Sequence, residues 1–405
     1  MHTSRKIFTL LPIFLCLAAC GGGGSGDPAG SAPTEPRFGQ FKDSNTAGLH
    51  YDTGTRSGIT DKAGWFTYEP GEKVVFAVGN VALGSAPGKA VVTPRDLVPG
   101  GGSGDTAVLN RVRFLMMLDA DGNPDNGITI SSEVRQAATG WAQVDFTTGD
   151  LALELADIMA SAREADGGAH RLPAATEAQA HLEATLYCAL AGIYTGSFLE
   201  SWDDGPDTDF TDEGFFTGKL DPQSGFVTAS GYSVPGQQSF FATGISKVGF
   251  DGEPEFVSGD TTSGATFRGR FADDDTPVVT GTWERPYLAG SPQGPLPYKY
   301  GGEFQAERLA PRTDATLLIV ALDEAFGVTL DVDADSRIRG QVVDTSTGQP
   351  IAVEGTMDEG GGTFSAVDDS GLIRLTGQWN AATGNYEITI AGHDQVLRGD
   401  HCNPN

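Results

Sequence analysis

Four oxygen-bearing side chains on one short stretch are the residues best suited to chemistry in this chain. Asp119, Asp121, Asn123 and Asp125 alternate through Asp119-Ala-Asp121-Gly122-Asn123-Pro124-Asp125-Asn126-Gly127. Ca²⁺ takes roughly 6–8 oxygen ligands, and alternating carboxylates and amides on a turn can supply them. Counted from Asp119, the sixth position is Pro124, where a tight calcium loop uses glycine, and the twelfth is Ile130, where it uses a bidentate Glu. The alternative is a helix end running into an Asn-Gly turn, with the Asp and Asn side chains serving backbone hydrogen bonds. Both readings stay open from the sequence.

The other acidic clusters read as solvated. Asp331-Val-Asp333-Ala-Asp335 looks like a strand leading into a turn. Asp203, Asp204, Asp207, Asp209, Asp212 and Glu213 crowd a loop after Trp202, and Asp273-Asp274-Asp275 reads as a hairpin tip. Catalytic signals are poor. No G-x-S-x-G elbow and no H-E-x-x-H is present, and His50, His170, His181, His393 and His401 are scattered singly. Gly84 to Ala90 lacks a P-loop's first glycine, at Leu83, and the hydroxyl residue after Lys89, so it reads as a loop between strands. His393-Asp394 reads as a turn. No catalytic residue is assigned. A hydrolase would have to hide its carboxylate pair among 54 acidic residues. With 26 basic residues and a formal net charge of −28, the chain repels nucleic acid, which is excluded as a partner, and attracts divalent cations.

Residues 1–19 carry Arg5 and Lys6, then an apolar run from Ile7 to Leu17, the marks of a secretory signal. Leu17-Ala18-Ala19-Cys20 closes that run and resembles the lipobox of bacterial lipoproteins. The resemblance implies removal of residues 1–19, lipidation of Cys20 and a membrane partner through that lipid. Gly21, in place of the Asp that retains such proteins at the inner membrane, implies the outer membrane, with the chain periplasmic or surface-exposed. The alternative is an ordinary cleaved signal with Cys20 incidental. If Cys16 leaves with the signal and Cys20 is lipidated, Cys188 and Cys402 have only each other in an oxidising compartment, and a disulfide between them is expected. Two unrelated thiols are the alternative.

The elements that must position any site follow in order. Residues 20–37 are a Gly/Ser/Pro tether without periodicity. Residues 38–104 read as a small β-sandwich-like module, with an alternating strand before Tyr68, a buried run Lys73–Val78 and a third at Ala90–Thr93. Thr60-Asp61, Gly64, Phe66 and Tyr68 resemble the carboxypeptidase-regulatory or prealbumin-like modules of bacterial surface proteins, in which this pattern is a hairpin. Residues 105–190 switch to helical spacing, at Val108, Val112, Leu115, Met116 and Leu118, then Leu151 to Met159, then Thr176 to Leu190. Gly88-Lys89, Val92-Thr93-Pro94, Asp96-Leu97 and Leu118 to Ile128 are similar to a run in a group of bacterial lipoproteins, a likeness that implies no activity.

Residues 191–309 and 310–405 return to β. Gly264-Ala-Thr-Phe267 is echoed by Gly362-Thr-Phe364, and Thr280-Gly-Thr-Trp283 by Thr376-Gly-Gln-Trp379. The fold class is mainly β with a small helical unit, ending in two tandem antiparallel meanders, each a small barrel or half-barrel. One larger barrel built from both is the alternative. Aromatics placed two residues after glycine are expected to fill the interiors. Gly-x-Phe meanders also resemble the barrels of the transferrin-binding family of surface lipoproteins. The expectation is a lipid-anchored envelope protein with a non-catalytic binding or structural role, meeting a glycan or another envelope protein. The alternatives are an extracytoplasmic hydrolase and a small-ligand carrier with a hollow barrel.

Overall fold

The computed structural model describes residues 36–205, 211–247, 256–272, 278–286, 298–309 and 315–403. Cys20, Asp207, Asp209 and Asp273 to Asp275 lie outside them.

The first part of the described chain, up to Leu190, mixes short sheets and helices. β1 (Arg37–Phe41), β2 (Thr46–Ala47), β3 (His50–Asp52), β4 (Ser57–Ile59), β5 (Trp65–Tyr68), β6 (Lys73–Val78), β7 (Val81–Pro87), β8 (Val91–Val92) and β9 (Ile128–Thr129) form three sheets, ordered β5-β1-β8, β4-β3-β6-β7 and β2-β9. The Thr60-to-Tyr68 pattern is a turn followed by β5. Asp61 Oδ1 accepts from the backbone of Ala63 and Trp65, and Gly64 takes φ +76° beneath the Phe41 carbonyl. A side chain at residue 64 would clash there, so the position requires glycine.

Helical spacing is realised as α1 (Thr106–Leu118), α2 (Ser132–Ala137), α3 (Leu151–Glu154), α4 (Ala156–Asp166) and α5 (Ala175–Leu190). Asp105 caps α1 through its side chain, which accepts from Ala107 and Val108. The second helical run, Leu151 to Met159, breaks in two at Leu155. Sheets and helices share one core, in which Phe41, Phe66 and Phe76 from the strands meet Phe114, Leu115 and Leu182 from the helices.

The remaining strands form two closed eight-stranded up-and-down barrels. Barrel one is β10 (Gly192–Asp203), β11 (Glu213–Leu220), β12 (Phe226–Ser233), β13 (Gln238–Lys247), β14 (Phe256–Thr261), β15 (Thr266–Phe271), β16 (Val278–Pro286) and β17 (Lys299–Arg308). Barrel two is β18 (Ala315–Leu322), β19 (Phe326–Asp333), β20 (Arg337–Asp344), β21 (Gln349–Met357), β22 (Thr363–Val367), β23 (Arg374–Asn380), β24 (Asn385–Ile390) and β25 (Val396–Cys402). β17 pairs back onto β10, and β25 onto β18, so neither sheet keeps an open edge.

Local chemistry sets the hairpins. Asp221-Pro-Gln-Ser-Gly225, Asp344-Thr-Ser-Thr-Gly348 and Asn380-Ala-Ala-Thr-Gly384 share one turn. The first side chain accepts from the backbone two residues on, and the closing glycine has φ near +67° and donates back to the first carbonyl. The alternation of the flanking strands does the rest. In β24, Tyr386, Ile388 and Ile390 point inward and are buried while Glu387 and Thr389 face out.

The three parts are fastened at one place. Arg308, at the end of β17, is half-buried and donates to the Ala189 and Ala191 carbonyls at the end of α5, while the charge of Asp331 on β19 acts on its guanidinium. Asp331 and Asp333 are buried, which corrects the solvated reading of that acidic run. Asp331 faces Arg308, and Asp333 Oδ1 accepts from the backbone of Asp335 and Arg337. Lys219 on β11 pairs with Asp400 on β25 at 2.5 Å. Cys188 on α5 is disulfide-bonded to Cys402 on β25 across a sequence separation of 214, so all of barrel one lies inside the covalent loop.

Candidate ligand-binding site

Barrel one encloses a cavity of about 300 Å³. That is about twice the roughly 150 Å³ cavity that holds a benzene in an engineered protein core. Register explains why the room exists. Gly196 pairs with Phe216, Phe216 with Gly231, and Gly231 with Phe240. Gly244 pairs with Gly259, which in turn pairs with Phe267. Gly269 pairs with Gly281, and Gly281 with Phe304. With Gly218 and Gly302, every strand of the barrel presents at least one inward glycine. Each glycine withholds a side chain from the interior, and rings lie over some of the gaps, Phe240 over Gly231 and Phe304 over Gly269 and Gly281. A Cβ at Gly231 would sit 2.2 Å from the Phe240 ring. The aromatics therefore lie along the wall, and the expectation that they fill this barrel is corrected.

The wall is ordered by edge-to-face contacts. Phe198 meets Phe240 and Trp283 with ring centroids 5.7 and 5.6 Å apart, and Trp283 meets Tyr300 at 5.8 Å. Ala229, Ala242, Val257 and Val279 complete the apolar lining. Trp283 Nε1 is buried without a hydrogen-bond partner. At the α5 end, the Tyr194 hydroxyl donates to the Leu190 carbonyl at 2.7 Å, seating that end of the barrel on the helix terminus.

The opposite end is polar. Asp212, Ser233, Gln238, Thr261, Arg285 and Tyr300 line the cavity there. Asp212 is 7 % exposed and accepts from the Ser233 hydroxyl at 2.7 Å. Its backbone N–H donates to Glu200 Oε2 at 2.9 Å, and the Glu200 N–H donates to its carbonyl. Burial, followed by the charges of Asp203 and Asp212, holds the Glu200 carboxyl above the usual range. Burial raises the Tyr300 hydroxyl, which Arg285 opposes by charge and by a hydrogen bond.

The sequence had singled out other residues. Asp119 is 2 % exposed, and its Oδ1 accepts from the Thr129 backbone while Oδ2 is buried without a hydrogen bond. Burial, with Asp121 adding to it, pushes Asp119 up to about 6. Asp121 accepts from the Asn123 backbone and from Asn126 Nδ2. Pro124–Asn126 is a short 3₁₀ turn that carries Asp125. The hydrogen bonds are those of the turn reading. Among the described residues, no group of three or more His, Cys, Asp and Glu side chains is placed to hold a metal.

His393 pairs with Asp323 at 2.7 Å, a partner 70 residues away, and not with its neighbour Asp394. His170 is buried between the Met117 carbonyl and Asp166. A buried cluster that the sequence did not single out joins Lys42, Asn45, Asp43 and His181, the last two 3.4 Å apart. Burial pulls Lys42 down to about 7 and pushes Asp43 up to about 6 against the His181 charge. The Ser44 N–H donates to Thr185 on α5, so the cluster fastens the turn to the helix. Of the acidic loop after Trp202, only Asp212 reaches the cavity among the described residues.

Comparison with protein families, with curated proteins and with solved structures finds no match.

Proposed function

We propose that this chain is a binding protein of the cell envelope that takes a small, largely apolar molecule into barrel one. The observation that carries this reading is the aromatic-walled cavity of about 300 Å³ in one barrel, beside a second barrel of equal strand number whose interior packs into one hydrophobic cluster. Eight strands make an interior that either side chains fill or one small ligand occupies. An apolar lining with a few polar groups gathered at one end is the usual make-up of such sites. The cavity wall also separates this reading from a hydrolase. Asp212 is the only acidic side chain among the described residues that line it, and a carboxylate pair needs two. The envelope part rests on Arg5, Lys6, the apolar run and the Leu-Ala-Ala-Cys sequence ending at Cys20, which would carry the lipid.

The test is titration with the neutral fluorophore N-phenyl-1-naphthylamine. Saturable fluorescence enhancement, lost in Ala242→Phe with circular dichroism unchanged, is the expected result. Absence of saturable binding by this and by larger or smaller apolar probes would end the reading. For the anchor, acyl-chain labelling in cells should depend on Cys20, and labelling that persists in Cys20→Ala would refute it.

A further inference from the structure

We infer that the ligand of barrel one is an amphiphile with a positively charged head, its apolar body in the shaft and its ammonium group against Asp212 at the mouth. This inference rests on the binding reading above and names the ligand class.

The argument begins with Asp212. Its side chain is almost fully buried and lines the cavity, yet among the described residues no Lys, Arg or His forms an ion pair with it. Ser233 supplies one hydrogen bond to Oδ1, and none to Oδ2 is formed among the described residues. A buried carboxylate is stable when a cation or several donors face it. Among the described residues, one acceptor oxygen of Asp212 is left without a donor at the cavity wall.

The surroundings add to the same sign. β10 places Glu200 on the inward face, in register with Gly302, and Asp203 opposite Tyr300. Burial is the main cause that holds the Glu200 carboxyl above its usual range, and the charges of Asp203 and Asp212 add to it in the same direction. Arg285 is the cation of the mouth, and the Tyr300 hydroxyl engages it. Lys299 is paired with Glu284 at 2.8 Å. Among the described residues, Asp212, Glu200 and Asp203 are gathered at this end with Arg285. The rings nearest the mouth, Trp283, Tyr300 and Phe198, present π-faces and edges around the shaft, and an ammonium group is attracted to aromatic faces. An anionic head would meet Asp212, the one acidic side chain among the described lining residues, with Glu200 and Asp203 close by on β10. The formal net charge of −28 makes its approach slower as well.

The experiment displaces N-phenyl-1-naphthylamine from the full chain near neutral pH with three ligands that share one hydrocarbon: decylamine, decanol and decanoate. Decylamine should bind on the order of tenfold more tightly than decanol, and decanoate more weakly than either. In Asp212→Asn, the ratio of decylamine to decanol affinity should fall toward one. If that variant does not fold, Glu200→Gln should lower the same ratio, and added salt should lower it in the unaltered protein. Decanoate binding as well as decylamine, or a ratio unchanged in the variants and by salt, overturns the charged-head inference while leaving the binding reading intact. Failure of the fluorophore itself to bind overturns both.

Discussion

In barrel two, Ile319, Leu330, Val342, Val353, Leu375 and Ile388 converge from six strands and are almost wholly buried. Barrel one has glycine on the inward face of every strand, with aromatic rings laid across the gaps. Barrel two keeps an inward glycine at Gly340, Gly355, Gly377 and Gly399, and branched aliphatics take most of the remaining inward positions. The same device occurs in both: the Phe240 ring covers Gly231, and the Phe364 ring covers Gly377. What differs is how often it is used. Eight strands fix the diameter, and the side-chain volume pointed inward decides whether a ligand has room.

That contrast can be broken in several ways. The largest expected effect concerns the link that encloses barrel one. Reducing the Cys188–Cys402 disulfide frees a sequence separation of 214, and loop-closure entropy puts the loss at about 5 kcal/mol. Denaturant unfolding with and without reductant measures it, and equal midpoints would show that the salt bridge of Lys219 with Asp400 and the Arg308 contacts suffice alone.

Next in size are large-to-small changes. Leu330→Ala in packed barrel two should cost near the upper end of about 2–5 kcal/mol, because the void it leaves is closed on all sides. Leu220→Ala, which borders the existing cavity of barrel one, should cost near the lower end. Equal losses in chemical denaturation would argue that barrel one is packed as tightly as its neighbour. The reverse substitution sharpens the same point. Ala366→Phe overpacks barrel two and should destabilise it by about 1–3 kcal/mol. Ala242→Phe has room to enter and should be close to neutral while closing the site.

The smallest effect is a difference in sign with pH. Glu200 in barrel one has its pKa raised, so the folded state holds the proton more tightly than the unfolded chain. Its contribution is greatest at low pH and is lost as pH rises through the raised value. His401 in barrel two has its pKa lowered by burial, beside Trp379 at 5.0 Å between ring centroids. Its contribution is present above the usual imidazole value of about 6.5 and is lost as pH falls below it. Melting temperature followed across this range should flatten on the rising side in Glu200→Gln and on the falling side in His401→Gln. A shift in the opposite sense in either variant would refute the assigned cause.

Much of the architecture was legible because it is local. Spacing at Val108, Val112 and Leu115 marks α1, alternation at Tyr386, Ile388 and Ile390 marks β24, and the Asp-to-Gly turns mark the hairpins. The pairing of Cys188 with Cys402 was legible by counting thiols, on the premise that Cys20 is lipidated. The site was not legible. Asp212 looked like one of a crowd of soluble carboxylates, and only the pairing of β11 with β10 in the closed barrel sets it at a cavity. Asp331 looked solvated, and only the packing of β19 against β10 and β11 buries it near Arg308.

By itself the sequence determined the periods, the turns, the acidic charge and the order of modules, since these depend on neighbours within a few residues. Tertiary structure alone decided which barrel is hollow. Gly196 and Phe216 are 20 residues apart in the chain, and the space between their strands depends on register and closure. A glycine two residues before an aromatic reads alike in both barrels. Whether the ring fills the axis or lies on the wall depends on whether the strand beside it offers another glycine or an isoleucine.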